Sequence, residues 1–488
     1  MSRSQSHVFT VAIVGAGFGG LCQAMRLKAA GIDDFVVVDK NRDVGGTWFE
    51  NTYPGAACDI ESYLYSYSFL PNPDWSRKFA GQAEIQRYLA ACARDQHLHP
   101  HLRLGTEIVG AVFDPVESVW RLSSAEGEVI AARILVPACG QLNRPSIPVL
   151  PGIESFTGPC FHSARWDPSF EARAKVVAVI GTGASAVQIV PELVPAAERV
   201  VLFQRSGAWV LPKGDRRFSR LERSLLRGFG LGRLYRTLIA GKNELRGVAF
   251  VRFPWMLAPM AWRVRRIIRR RVRSPEKRAA LLPSYRIGCK RVLISDDWYS
   301  ALDEDKVAIV SDAITAITSD GVVTADGRLH RADALILATG FAAANPLAGL
   351  NIVGDGGRAL NEVWRDGASA YLGMTMPGFP NLFILYGPNT NLGHDSIVRM
   401  LEAQADYVVQ AVQLLRDRGL RRLDVAPPAA HAFDGWVGAE LKRTVWNATC
   451  PSWYKTAEGR ITNNWPGLVS RFRAMTRRLK LEDYDLRS

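Results

Sequence analysis

The sequence predicts an α/β fold in which one βαβ unit is inserted within another, and three observations predict it. Two strand–turn–helix–strand segments carry the same glycine pattern, Gly15-x-Gly17-x-x-Gly20 and Gly181-x-Gly183-x-x-Ala186. In each, a residue suited to ligand selection closes the next strand 24 positions after the first glycine, Asp39 in the first unit and Arg205 in the second. Two apolar runs ending in glycine, 133–140 and 332–340, mark where the chain leaves and re-enters the first unit.

The first unit opens with an apolar, β-rich run, turns at Gly15, and continues into a helical segment closed by Gly31. Gly15 permits the tight turn, Gly17 admits a pyrophosphate close to the backbone, and Gly20 lets helix and strand pack closely. Asp39, followed by Lys40, stands where a carboxylate accepts hydrogen bonds from ribose hydroxyls. A glycine turn without a ligand is the bland alternative, and the strand–turn–helix context argues against it.

The prolines at 145, 148 and 151 mark a linker into the second unit. There the strand after the turn ends in Arg205-Ser206. A guanidinium at that position pairs with a 2′-phosphate, whereas NAD selection usually uses an acid, so NADPH is favoured over NADH. The alternative is one more surface arginine in a basic protein. Residues 213–285 read as an Arg-rich helical insertion. The expected layout is two Rossmann-like dinucleotide-binding domains: 1–145, then 152–335 with the insertion, then 336–488 completing the first.

Composition narrows the function. The chain has 488 residues, 48% hydrophobic and 22% charged, which is ordinary for a globular protein with a large core. Its seven cysteines are odd in number and form no C-x-x-C pair. That argues against a disulfide framework, a zinc or other metal site and a dithiol redox centre, and it suits a cytoplasmic location. No targeting signal is evident, and the apolar stretch 248–262 is too short and interrupted to span a bilayer. The net charge of +14 comes from one window, 213–291, which holds 23 Lys and Arg against 4 Asp and Glu.

Further motifs carry a family likeness. Phe156-x-Gly158-x-x-x-His162-x-x-x-Trp166-Asp167 lies just before the second glycine turn. With it come Gly45-Gly46-Thr47-Trp48, Tyr53-Pro54-Gly55-Ala56-Ala57-Cys58-Asp59, Gly288-Cys289-Lys290-Arg291, Ala338-Thr339-Gly340-Phe341 and Gly387-Pro388-Asn389-Thr390. Together they resemble the type I Baeyer–Villiger monooxygenases, within the flavin-containing monooxygenase superfamily, over nearly the whole chain. Asp167 stands where many members have proline, and the approach to Gly288, residues 282–286, differs from the commoner form.

The resemblance implies FAD at the first turn, including Phe18, with Gly46, Thr47, Trp48, Tyr65, Ile108 and Asn389 as further contacts. It implies NADPH at the second, held by Thr182, Ser185 and Gln188, with Arg205, Ser206 and Lys290 toward the 2′-phosphate. Arg291 would be the catalytic arginine and Asp59 its carboxylate partner beside the flavin. The implied reaction inserts one oxygen atom of O2 next to a ketone carbonyl, through a C4a-peroxyflavin, giving an ester or lactone. Adjacent side chains of an extended segment point to opposite sides, so Lys290 and Arg291 can serve two sites at once; a Lys-Arg pair is also commonplace in this basic stretch.

Two rival readings stay open at this stage. One is a flavin monooxygenase acting on sulfides or amines. The other is a basic membrane-surface or nucleic-acid binding protein with a vestigial nucleotide fold, suggested by the aromatic and aliphatic residues among the arginines of 213–285. Two complete phosphate turns argue against the second as the whole function. No nucleic-acid partner is expected, and weak membrane-surface attachment through 213–285 is compatible with catalysis. The sequence is silent on which ketone is used and on oligomeric state.

Overall fold

The computed structural model describes residues 7–228, 230–343, 345, 347–450, 452–456 and 458–488. Two sheets organise it. The larger has seven strands in the order Asn351–Val353, Ile108–Asp114, Val119–Ser124, Val129–Pro137, Val8–Val14, Phe35–Asp39 and Leu102–Leu104. Its centre is parallel, with Val11 paired to Phe35 on one side and Ile134 on the other. Phe35–Asp39 is buried throughout, because helices and loops cover both faces; this is why it reads as an unbroken apolar run.

The second sheet is wholly parallel, in the order Val307–Val310, Arg199–Phe203, Val176–Ile180, Ala334–Leu337 and Cys160–His162. All its strands come from 160–337, whereas the first sheet takes its last strand only afterwards, at Asn351–Val353. The second sheet therefore runs to Leu337, past the 335 boundary read from the sequence. The Phe156–Asp167 motif supplies its edge strand. Trp166 packs edge-on to Phe161, and His162 lies 5.8 Å from Phe341, ring to ring. The motif thus touches the segment where the chain crosses back.

Among the described residues four α-helices fill the insertion: Arg220–Arg227, Leu231–Val251, Ala258–Arg271 and Pro275–Leu281. Ser219 and Glu222 form a reciprocal cap at the start of the first. Ser274 caps the last, whose first residue is proline, where the missing N–H costs nothing. The second helix is tied to the larger-sheet unit: Arg236 donates to the carbonyls of Tyr63, Leu64 and Ser66, and Lys242 meets Glu61 at 2.7 Å. No helix of the described residues is long and apolar enough to cross a membrane.

Candidate active site

The two glycine turns are built alike. Gly15 and Gly181 have φ of +112° and +114°, a region L side chains rarely adopt. A Cβ on either would strike the carbonyl oxygen at the end of a neighbouring strand, Ala138 at 2.7 Å and Ala338 at 2.4 Å. Above the first turn a second backbone closes in, since a Cβ on Gly46 would stand 3.0 Å from the Cα of Gly17. Such bare backbone, with N–H groups at a helix start, is a cradle for a pyrophosphate.

Around this cradle several of the expected contacts gather. Asp39 accepts from Ala16 N at 2.6 Å and Asn41 N at 2.8 Å; burial raises its pKa, while these two donors oppose the rise. Lys40 pairs with Glu50 at 3.0 Å, on the short helix that begins at Thr47. Ile108 is buried two residues beyond Thr106, whose N–H donates to the Asp39 carbonyl. Trp48 Nε1 donates to Tyr65 Oη at 3.1 Å, and Phe18 stands edge-on to Tyr65 at 4.9 Å, so these three rings form one aromatic wall. Asn389, at φ +54°, is locked by bonds to the carbonyls of Ile461, Thr462 and Asn464.

At the second turn Thr182 Oγ1 donates to Ser206 O at 3.5 Å, Ala186 is buried, and Gly183 faces open space. Arg205 is exposed. Lys290 Nζ reaches Ser206 Oγ at 3.4 Å and lies 4.5 Å from the centre of the Tyr285 ring. Burial and the Arg205 charge push the Lys290 pKa down. Two cations converge here, and among the described residues neither has an ion-pair partner, which is the electrostatic signature of an anion site. Burial raises the Tyr53 pKa while the neighbouring Ser185 opposes the rise, and Gln188 clamps the adjoining backbone. The Gln188 amide accepts from Tyr53 Oη at 3.0 Å and Ala57 N at 3.4 Å, and donates to Ala57 O at 2.8 Å.

Two residues beyond that clamp stands Asp59. Arg291 donates to its Oδ2 through Nε at 3.1 Å and through Nη2 at 2.6 Å. The Asp59 carboxylate holds the Arg291 pKa well above the usual arginine range despite burial. Lys290 and Arg291 thus diverge, one toward Ser206 and the other toward Asp59, although the chain bends at Cys289 and Lys290 after the Ile287–Gly288 turn and becomes a strand only at Leu293.

Two residues here were not singled out from the sequence. Tyr386 and Tyr454 both feel the Arg291 and Asp59 charges, and burial pushes Tyr386 up to about 12 and Tyr454 higher. Tyr386 has φ +58°, rare for a bulky residue. Its N–H donates to Gln404 Oε1, its carbonyl accepts from Gln141 Nε2, and its hydroxyl donates to Asn391 at 2.7 Å. The Gly387-Pro388-Asn389 turn that follows was the available signal. The cysteine reading also needs correction. Although the count argued against disulfides, Cys289 and Cys450 are bonded, 161 positions apart, because the fold brings the stretch ending at Cys450 beside the turn that carries Cys289. The other five cysteines are free. Among the described residues no cluster of three His, Cys, Asp or Glu side chains is placed to hold a metal ion.

Two glycine cradles, one with an acid at its selector position and one with paired cations, joined by an arginine–carboxylate pair, define a two-dinucleotide flavoprotein-type fold. The sequence matches the flavin-binding monooxygenase-like family over residues 9–354, and the chain belongs to that family. It is 42% identical over 479 residues to a Baeyer–Villiger monooxygenase of Streptomyces coelicolor, covering 98% of this chain and 92% of the relative. A Baeyer–Villiger monooxygenase of Pseudomonas aeruginosa is also 42% identical, with 98% and 91% covered. Among solved structures, OTEMO in complex with FAD and NADP superposes with a TM-score of 0.90 at 27% identity, covering 99% and 100%. Oxidised steroid monooxygenase bound to NADP gives 0.89 at 29%, with the same coverage.

Proposed function

We propose that the chain is an FAD-dependent, NADPH-consuming Baeyer–Villiger monooxygenase, converting a ketone, O2, NADPH and a proton into an ester or lactone, NADP⁺ and water. In this reading residues 1–145 and 336–488 hold FAD and 152–335 hold NADPH. The observation that carries it is the Arg291–Asp59 pair: the guanidinium comes from the unit with the second turn and the carboxylate from the unit with the first.

The residues present fit the two cofactors. A Cβ would fill the space between Gly17 and Gly46, so the first turn is kept bare, and the unpaired cations Arg205 and Lys290 suit a 2′-phosphate. FAD, when bound, supplies the redox chemistry that activates O2. The chain's own residues do the rest. Thr182, Ser185, Arg205, Ser206 and Lys290 seat the nicotinamide cofactor, and Phe18, Trp48 and Tyr65 wall the flavin side from water. Arg291 stays protonated at any working pH and offers N–H donors to the substrate oxygen that becomes negative as its carbonyl is attacked. Asp59 fixes the direction of those donors.

The test is NADPH oxidation by the purified protein across cyclic, linear and aryl ketones, with a thioether alongside and products identified by mass. Ester or lactone from a ketone is expected. Oxygenation of the thioether alone would transfer the chain to the sulfide-oxidising class.

A further inference from the structure

We propose that the helical insertion is a docking surface for an anionic phospholipid bilayer. Ten of the twenty exposed large apolar side chains among the described residues fall between residues 221 and 262, a segment under a tenth of the chain. A scattered distribution of such residues needs no explanation, but this one is concentrated.

The helix Leu231–Val251 is apolar on two sides. Ile239, Asn243, Gly247 and Phe250 are buried against the body of the protein. Leu231, Leu234, Leu238 and Leu245 are exposed, Leu245 to 72%. At roughly 100° per residue their spacing puts these four within about 60° of arc, so they form one outward stripe. Leu221 and Leu225, a turn apart on the preceding helix, are likewise exposed.

The following helix, Ala258–Arg271, buries Ala261, Val264 and Ile268 and turns six exposed arginines outward, at 263, 265, 266, 269, 270 and 271. None of the six has an ion-pair partner among the described residues; Arg266 instead lies 5.2 Å from the centre of the exposed Trp262 ring. Trp255, 70% exposed, and Met256 precede this helix.

The combination selects the occupant. Leucines, methionine and tryptophans between arginines match an interface where acyl chains meet headgroup phosphates. A second copy of the same surface would bring together two faces carrying the same positive charge. Nucleic acid would satisfy the arginines yet leave the leucine stripe in water. The arrangement also places the enzyme where apolar molecules concentrate.

The experiment uses the full flavin-loaded chain, floated with vesicles of phosphatidylcholine alone or mixed equally with phosphatidylglycerol. Binding to the mixed vesicles, about tenfold weaker on phosphatidylcholine and weakened by salt, is expected. The Trp255 and Trp262 emission should shift to shorter wavelength. Leu234→Glu/Leu238→Glu and Arg266→Glu/Arg270→Glu should each cut binding about tenfold while solution NADPH oxidation is unchanged, which shows that both variants are folded. No flotation with the mixed vesicles would overturn the proposal. So would a dimer in solution that Leu234→Glu/Leu238→Glu dissociates, or duplex DNA binding that the leucine variant leaves intact with vesicle binding also unaltered.

Discussion

The two glycine turns share a backbone and differ in everything around it. At the first, Gly46 roofs the turn, Asp39 is buried and three aromatic rings wall one side. At the second, Gly183 faces open space and the selector Arg205 is exposed. One motif therefore yields two kinds of site according to what the rest of the chain lays over it. A covered turn suits a cofactor that stays, and an open turn suits one that is exchanged at every catalytic cycle. The charges differ in the same sense, a carboxylate suited to ribose hydroxyls against two cations suited to a phosphate.

The comparison breaks most sharply at the glycines. A Cβ on Gly20 would lie 1.7 Å from the Gly15 carbonyl oxygen, so Gly20→Val should yield protein without flavin absorbance and with NADPH oxidation reduced ~100-fold or more. Gly183→Ala, in open space, should keep both its flavin and its affinity for NADPH; a marked rise in KM for NADPH would show that the second turn is not open in solution.

Next in size is the residue between the two sites. Arg291→Ala should still let NADPH reduce the flavin in a single turnover, while ester formation falls by ~100-fold or more. Near-normal ester formation would remove Arg291 from the chemistry. At the second turn alone, Arg205→Ala should raise KM for NADPH by ~10-fold or more and leave that for NADH almost unchanged, as expected from losing a charge-assisted bond to the 2′-phosphate. An equal effect on both cofactors would deny the phosphate role.

The smallest effect is one of pH. Lys290 has a lowered pKa, from burial and then from Arg205, and phosphate binding favours its charged form. KM for NADPH should therefore rise as pH increases, beginning below the range where an ordinary lysine loses its proton. Lys290→Arg should flatten that rise, because arginine keeps its charge. Tyr386, pushed up to about 12, stays neutral across the same range, so Tyr386→Phe should lower turnover a few-fold without moving the profile.

What was legible in the sequence was local. Gly15, Gly17, Asp39 and their counterparts in the second unit follow from steric needs expressed within forty residues. Lys290 and Arg291 diverge as expected, but at a bend that follows a turn rather than along the extended segment the sequence suggested. Arg291 and Asp59 were paired through a resemblance, since 232 positions separate them and no periodic pattern links them. Long-range packing left no such trace for Tyr386, held by Gln141 and Gln404, or for the Cys289–Cys450 bond. In the insertion the basic character was readable, but only the docking of the helix Leu231–Val251 decides which of its apolar faces meets water.

Lys290 and Arg291 are consecutive, so they share one stretch of main chain. Whatever slides that strip to seat the ammonium on a phosphate must carry the guanidinium with it, as one yoke moves two oxen. The peptide between them would then report occupancy of one pocket to the other, and a departing coenzyme would pull the stabilising charge away from an unfinished oxidation.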